Sequence, residues 1–242
     1  MDRLITPNEA AQILRLSPTQ VRNYLRSGKL EGIRHGINWM IRESDVRAFD
    51  PLGAVHLRRG DFDNVGEAEQ QQDELGVGGF ARADLEEFGF TGFVRVSYLR
   101  KRGYSSIPAR MGVYLVVRES MKPPLFLQRS VGGCFHGKDP TVPIDSLRQN
   151  WVDGAYVVYI GKAGSLGSVA TLRSRLSMYI RFGMGIPAAH YGGRLIWQLA
   201  ECDELVLAWK PLSAEDPRKV EQGLIQEFQR AYGKMPFANL AK

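Results

Sequence analysis

The sequence predicts an α+β chain of two unlike parts: a small helical module, then a larger domain in which short strands and helices alternate. Three observations carry this. Two helix-start signals stand eleven residues apart near the N-terminus, at Thr6-Pro7-Asn8-Glu9 and Ser17-Pro18-Thr19-Gln20. An acidic, glutamine-rich stretch, Val65-Gly66-Glu67-Ala68-Glu69-Gln70-Gln71-Gln72-Asp73-Glu74, separates the parts. Beyond it, the apolar runs Gly112–Val117, Ala155–Ile160 and Leu205–Trp209 are interleaved with amphipathic segments at Thr171–Arg181 and Pro217–Tyr232. The expected organisation is a compact helical module at 1–50, an acidic linker at 51–90 and a second domain at 91–242.

Composition narrows the classes. The 242 residues, 44% hydrophobic and 24% charged, suit a soluble globular chain with real cores. No apolar run approaches the roughly 20 residues that span a bilayer. The N-terminal Met1-Asp2-Arg3-Leu4-Ile5 has no signal-peptide core, so a cytoplasmic location is expected. Two cysteines, Cys134 and Cys202, make neither a disulfide framework nor a cysteine-rich zinc site. Net charge is +6, divided unevenly: +2 over 1–50 (8 Lys+Arg, 6 Asp+Glu), −4 over 51–100 (5 and 9), +8 over 101–242 (19 and 11). A basic balance of this kind favours a polyanionic partner.

The first helix has a capping box and proline at its first position, with Ala10, Ala11, Ile13 and Leu14 as its apolar side. The second begins at Ser17-Pro18 and is stopped by Gly28; two short helices about a tight turn form a helix-turn-helix. His35-Gly36 turns a small wing within Gly32–Ile41, and a last short helix covers Ser44–Phe49. On the second helix Val21, Tyr24 and Leu25 have core spacing, which puts Thr19, Arg22, Asn23 and Arg26 on the outer face. Those four either reach base edges and phosphates in a major groove or form a solvated face.

Residues 5–49 resemble the MerR/excisionase-type winged helix-turn-helix, through Ile5–Ala11, Arg26-Ser27-Gly28-Lys29-Leu30, Trp39-Met40-Ile41 and Asp45–Phe49. The resemblance implies binding of double-stranded DNA, with Arg34 and Asn38 on the wing as backbone contacts. After the linker, Phe93–Leu99 alternates like a strand, with Val94, Val96 and Tyr98 on one side.

In the second domain, Leu172, Leu176, Tyr179 and Ile180 make the stripe of one helix, and Arg175 falls at its edge one turn from Tyr179. The two are therefore expected to share a site at the rim of the core. The last helix starts at Asp216-Pro217, and Glu221 lies inside its stripe of Val220, Leu224, Ile225 and Phe228. A carboxylate there is either satisfied by an internal arginine or holds a metal. Cys134-Phe135-His136 lacks an orienting acid and makes no credible nucleophile pair. His136, Lys138, His190, Arg194 and Trp197 are DNA contacts or ordinary surface and core residues.

Residues from about 112 to 240 also resemble the GIY-YIG nucleases. The matching pieces, in order, are Gly112-Val113-Tyr114, Tyr159-Ile160-Gly161-Lys162-Ala163, Leu172–Tyr179, Glu221 and Pro236-Phe237-Ala238-Asn239. The resemblance implies an α/β domain with a small antiparallel three-stranded sheet flanked by helices, and metal-dependent cleavage of DNA. The two leading motifs are separated by residues 115–158, with an insertion at 118–150, which is similar to the restriction-endonuclease branch; Gly164–Ala170 lengthens a second loop, and tyrosine at 179 resembles the excision-repair branch.

By the family pattern Tyr114 deprotonates or orients the attacking water, with Tyr159 beside it and Lys162 among the nearby cations. Arg175 meets the charge developing at phosphorus, Glu221 holds one Mg²⁺ or Mn²⁺, and Asn239 positions the phosphate or the glutamate. Tyr179 completes the catalytic set. The expected function is a DNA endonuclease in restriction or genome defence. The alternatives are a repair or mobile-element nuclease, or a DNA-binding regulator without activity; a homodimer is left open and no membrane partner is expected.

Overall fold

Local signals at the N-terminus act as their chemistry dictates. Thr6 caps helix α1 (Pro7–Leu14): its hydroxyl accepts from the Glu9 amide, and the Glu9 carboxylate accepts from the Thr6 amide at 2.8 Å. The computed structural model describes residues 2–16, 18–35, 38–49, 80–120, 122–188 and 192–240, which divide into two units, residues 1–88 and 89–242. The acidic stretch 65–74, read as linker, lies outside the described residues, as does the tip of the wing at Gly36.

In the first unit, α1 is followed by α2 (Pro18–Arg26), and Gly28 after it takes φ +70°, as a helix-stopping glycine should. Strand β1 (Leu4–Ile5) pairs antiparallel with β3 (Asn38–Arg42), which pairs with β2 (Ile33–His35) to form the wing. Helix α3 (Glu43–Ala48) closes the module. Ile5, Ala10, Ala11, Val21, Leu25, Leu30, Ile41 and Val46 form its core, and Tyr24 packs on Phe49 at 4.9 Å. Ile13, expected on the apolar side of α1, is exposed.

The segment expected to be linker up to residue 90 carries structure before its end. Helix α4 (Arg82–Glu87) belongs to the first unit, and Phe80, Ala81 and Leu85 around it are buried. A second departure lies just beyond it. Strand β4 (Thr91–Arg95) stops at Arg95, and helix α5 (Val96–Arg102) takes over where a strand to Leu99 was expected. The reason is spacing: Val96 and Leu99, three apart, are buried, whereas Tyr98 is exposed. Helical periodicity therefore outweighs the short alternation.

The sheet of the second unit has four antiparallel strands, one more than the expected three: β4, then β7 (Val206–Pro211), β5 (Gly112–Val117) and β6 (Val157–Ala163) in spatial order. β5 is buried along its whole length. Helix α7 (Leu172–Gly183) contributes Leu172, Leu176, Tyr179 and Ile180 to the core with Tyr114, Val116 and Trp209. The long final helix α8 (Pro217–Tyr232) is capped by Asp216 and packs on β5 and β6 through buried Leu224 and Phe228.

The insertion at 118–150 is tied into this core. It contains helix α6 (Ile144–Asn150), and Phe126 packs on Trp151 at 6.0 Å and Phe237 at 5.9 Å. Gln198, fully buried at the end of a 3-10 turn (Arg194–Gln198), donates to Leu127 O and Val142 O and accepts from the Val142 amide at 3.0 Å. A buried amide with three partners fixes the insertion in one position.

Candidate active site and nucleic-acid interface

The pairing of β5 with β6 sets Tyr114 opposite Gly161 and Val116 opposite Tyr159. Strand alternation puts both tyrosines on one face, under α7. Tyr114, Tyr159 and Tyr179 form a triangle of rings with centroids 6.0, 6.3 and 5.9 Å apart, and Tyr179 packs on Trp197 at 4.9 Å. Glycine at 161 follows from this packing: a Cβ there would stand 2.5 Å from the Tyr114 ring. Gly193, at φ +73°, is close against the Tyr159 ring in the same way.

Two of the expected partners meet Tyr114 directly. Its phenol shares a hydrogen bond with Tyr159 and accepts one from Arg175. Burial pushes the Tyr114 phenol well above the ordinary tyrosine value, the neighbouring Tyr159 adds to this, and Arg175 opposes it. Tyr159 is also raised by burial, while Tyr114 and the Arg175 charge pull it down and the Glu221 carboxylate pushes it up. Glu221 thus lies within electrostatic reach of Tyr159, on a half-buried position of α8. Tyr114, Tyr159 and Arg175, far apart in sequence, are thus neighbours.

Three other expected site residues are placed differently. Tyr179, expected at the rim beside Arg175, is fully buried, and its hydroxyl donates to Gly193 O at 3.1 Å. Asn239 uses both ends of its amide on the backbone of Ile160: Oδ1 accepts from the Ile160 amide and Nδ2 donates to its carbonyl, each at 2.8 Å. Because β6 is an edge strand, this clasp satisfies backbone groups that would otherwise be unpaired. Lys162 pairs with Val113, so alternation directs it to the face opposite Tyr114 and Gly161.

Arg173, also on α7, donates to Ile107 O and Ser105 O and so anchors the approach to β5. Trp197 is buried, His136 exposed, and His190 lies outside the described residues. The Cys202 thiol is pushed up to about 11, chiefly by burial, which keeps it in the thiol form at neutral pH. Gly193 was missed from sequence; its signal is the Gly192-Gly193 pair, whose conformational freedom makes room for Tyr159.

The outer face of α2 holds the main correction. Arg22, expected to project outward, is 4% exposed. Its Nε lies 3.7 Å from Asp84 of α4, itself 0% exposed. Arg26 donates to Asp84 at 2.6 Å and to Asn23 Oδ1 at 3.2 Å, and lies 3.7 Å from Glu87. On the wing, Arg34 stacks over Trp39 at 4.9 Å and pairs with Glu87 at 3.4 Å. Asn23 is exposed and Asn38 half-buried; the side chain of Thr19 lies outside the described residues. Arg26, Trp39, Ala83, Glu86 and Glu87 line an open cleft of about 420 Å³. Asp84 and Glu87 were not anticipated from sequence, because their short helix fell in the stretch read as linker.

Residues 4–49 match the family described as helix-turn-helix domain. This agrees with helices α1 and α2 and the wing, and it supports DNA binding by the first unit. No curated protein and no solved structure matches the chain. Among the described residues no helix is long and apolar enough to cross a membrane.

Proposed function

We propose that the chain is a metal-dependent DNA endonuclease of the cytoplasm, with a helix-turn-helix for DNA engagement and a GIY-YIG-type second unit for cleavage. The observation that carries the reading is the Tyr114–Tyr159–Arg175 hydrogen-bonded cluster with Glu221 in electrostatic reach. These are the residue types and the order that the resemblance assigns to phosphodiester cleavage. The length of the insertion at 118–150, similar to the restriction-endonuclease branch, supports restriction or genome defence, and tyrosine at 179 is the feature on the side of repair.

Burial holds Tyr114 in its protonated form at neutral pH, so its role is to orient the attacking water or the phosphate by hydrogen bonding. Arg175, donating to that phenol, meets negative charge as it develops on the phosphoryl oxygens. Glu221 fits one hard divalent ion: Mg²⁺ is commonly bound by one or two carboxylates with water and phosphate oxygens completing its shell. No group of three or more His, Cys, Asp or Glu side chains suited to a metal occurs among the described residues; by the resemblance, Glu221 would be a protein ligand of such an ion. Such an ion supplies charge stabilisation at the leaving oxygen.

A second reading is a DNA-binding regulator whose second unit is silent, and the 0% exposure of Tyr114 favours it. Incubation with supercoiled plasmid separates the two. The nuclease reading expects nicked or linear product with Mg²⁺ or Mn²⁺ and none with EDTA. Intact plasmid under all conditions, or cleavage indifferent to EDTA, overturns it.

A further inference from the structure

We propose that α4 is an acidic strap that occupies the arginines of the helix-turn-helix in place of DNA phosphates and is displaced when DNA binds. The inference rests on DNA binding by the first unit and not on its neighbour's chemistry. Three of the cations expected to meet DNA, Arg22, Arg26 and Arg34, come from α2 and the wing, yet all three converge on two carboxylates of one six-residue helix. Arg22 at 4% exposure has no surface to offer a phosphate while Asp84 covers it.

The arrangement copies the electrostatics of a bound nucleic acid. A carboxylate and a phosphate both accept charge-assisted hydrogen bonds from guanidinium groups. Asp84 takes a short bond from Arg26 on one oxygen, whereas its other oxygen, Oδ2, accepts no hydrogen bond among the described residues and stands 3.7 Å from Arg22. A buried ion pair with an incompletely bonded carboxylate holds a structure together weakly, because desolvation offsets much of the attraction. The second carboxylate, Glu87, is 37% exposed and shares two arginines at 3.4 and 3.7 Å. The cleft between Trp39 and Glu86 keeps this side of the strap open to water and competing anions. DNA offers a row of phosphates and gains by counterion release when arginines neutralise them.

The test uses the full chain and duplex DNA, with affinity read by fluorescence anisotropy in EDTA. Asp84→Asn/Glu87→Gln is expected to bind at least tenfold more tightly than the unaltered protein. Glu87→Gln alone, at an exposed position that leaves the buried pair intact, is expected to gain a few-fold and serves if the double variant fails to fold. Hydrogen exchange on the unaltered protein adds an independent readout: DNA should speed exchange at the Leu85 and Phe88 amides, which bond to Ala81 O and Asp84 O. Equal or weaker binding by the folded variants, or unchanged or slower exchange at α4 in the complex, overturns the strap while leaving DNA binding in place. Failure of every form to bind duplex at low salt overturns DNA binding by this unit and the strap with it.

Discussion

The Tyr114 phenol lies between the Tyr159 hydroxyl and the Arg175 guanidinium, and phenylalanine at 114 removes its oxygen while leaving the buried ring. Tyr114→Phe and Glu221→Ala are each expected to slow single-turnover DNA cleavage by about 10²–10³, the scale of a lost transition-state hydrogen bond or charge contact. Glu221→Ala should move the melting temperature little, whereas Tyr114→Phe removes buried hydrogen bonds and should lower it, so cleavage is compared at a temperature where both variants are folded. Cleavage near the unaltered rate by either folded variant rules out its assigned role. The grouping of Tyr114, Tyr159, Arg175 and Glu221 was an expectation of the GIY-YIG resemblance; residue spacing alone set Arg175 beside Tyr179 and Glu221 within an apolar stripe. Arg22 was not legible: the outer face of α2 is covered by Asp84, from a helix more than sixty residues further along. The face of Lys162 was readable, since strand alternation alone sets it across the sheet from Tyr159, three residues earlier, whereas Asn239 gave no sign of its bonds to an edge strand.

Boundaries set by capping chemistry or long periodicity were readable for whole elements. Helix α8 spans Pro217–Tyr232 as its Asp216-Pro217 start predicts, and β5 spans Gly112–Val117. The passage from β4 to α5 was not, because seven residues hold too few periods to separate a repeat of two from one of 3.6. A strand was expected at Phe93–Leu99, but not its place as a fourth member of the sheet: β4 is short, carries a register shift and joins only by pairing with β7. Glycines give these elements a test with opposite signs. Gly161→Ala forces a Cβ to 2.5 Å from the buried Tyr114 ring and should destabilise by about 1–3 kcal/mol. Gly223→Ala, inside α8 with nothing within 4 Å, should stabilise by up to about 1 kcal/mol through helix propensity. Thermal denaturation measures both; a stabilising Gly161→Ala would mean that the β5–β6 approach is looser than described.

Across the whole molecule the three buried tyrosines couple stability to alkaline pH. Tyr114, Tyr159 and Tyr179 all have folded-state values raised, with burial the largest cause in each. The neutral phenol is the form the core accepts, so their contribution is complete below about pH 10, the unfolded tyrosine value. Above it the unfolded chain releases protons that the folded chain keeps, and stability falls until the folded groups titrate, by up to about 1.4 kcal/mol per pH unit for each tyrosine. Lys210 works with the opposite sign: burial lowers its value, so deprotonation at rising pH relieves a cost of folding. Comparing the unaltered chain with Tyr179→Phe removes this background. The variant loses the bond to Gly193 O, which should lower its stability at every pH by about 1–3 kcal/mol. It also loses one titrating group, so urea denaturation between pH 9 and 11.5, about the unfolded tyrosine value, should give a shallower decline for the variant, by about one proton. Parallel curves would show that Tyr179 ionises as readily folded as unfolded, and would contradict its place in the core between Tyr114, Tyr159 and Trp197.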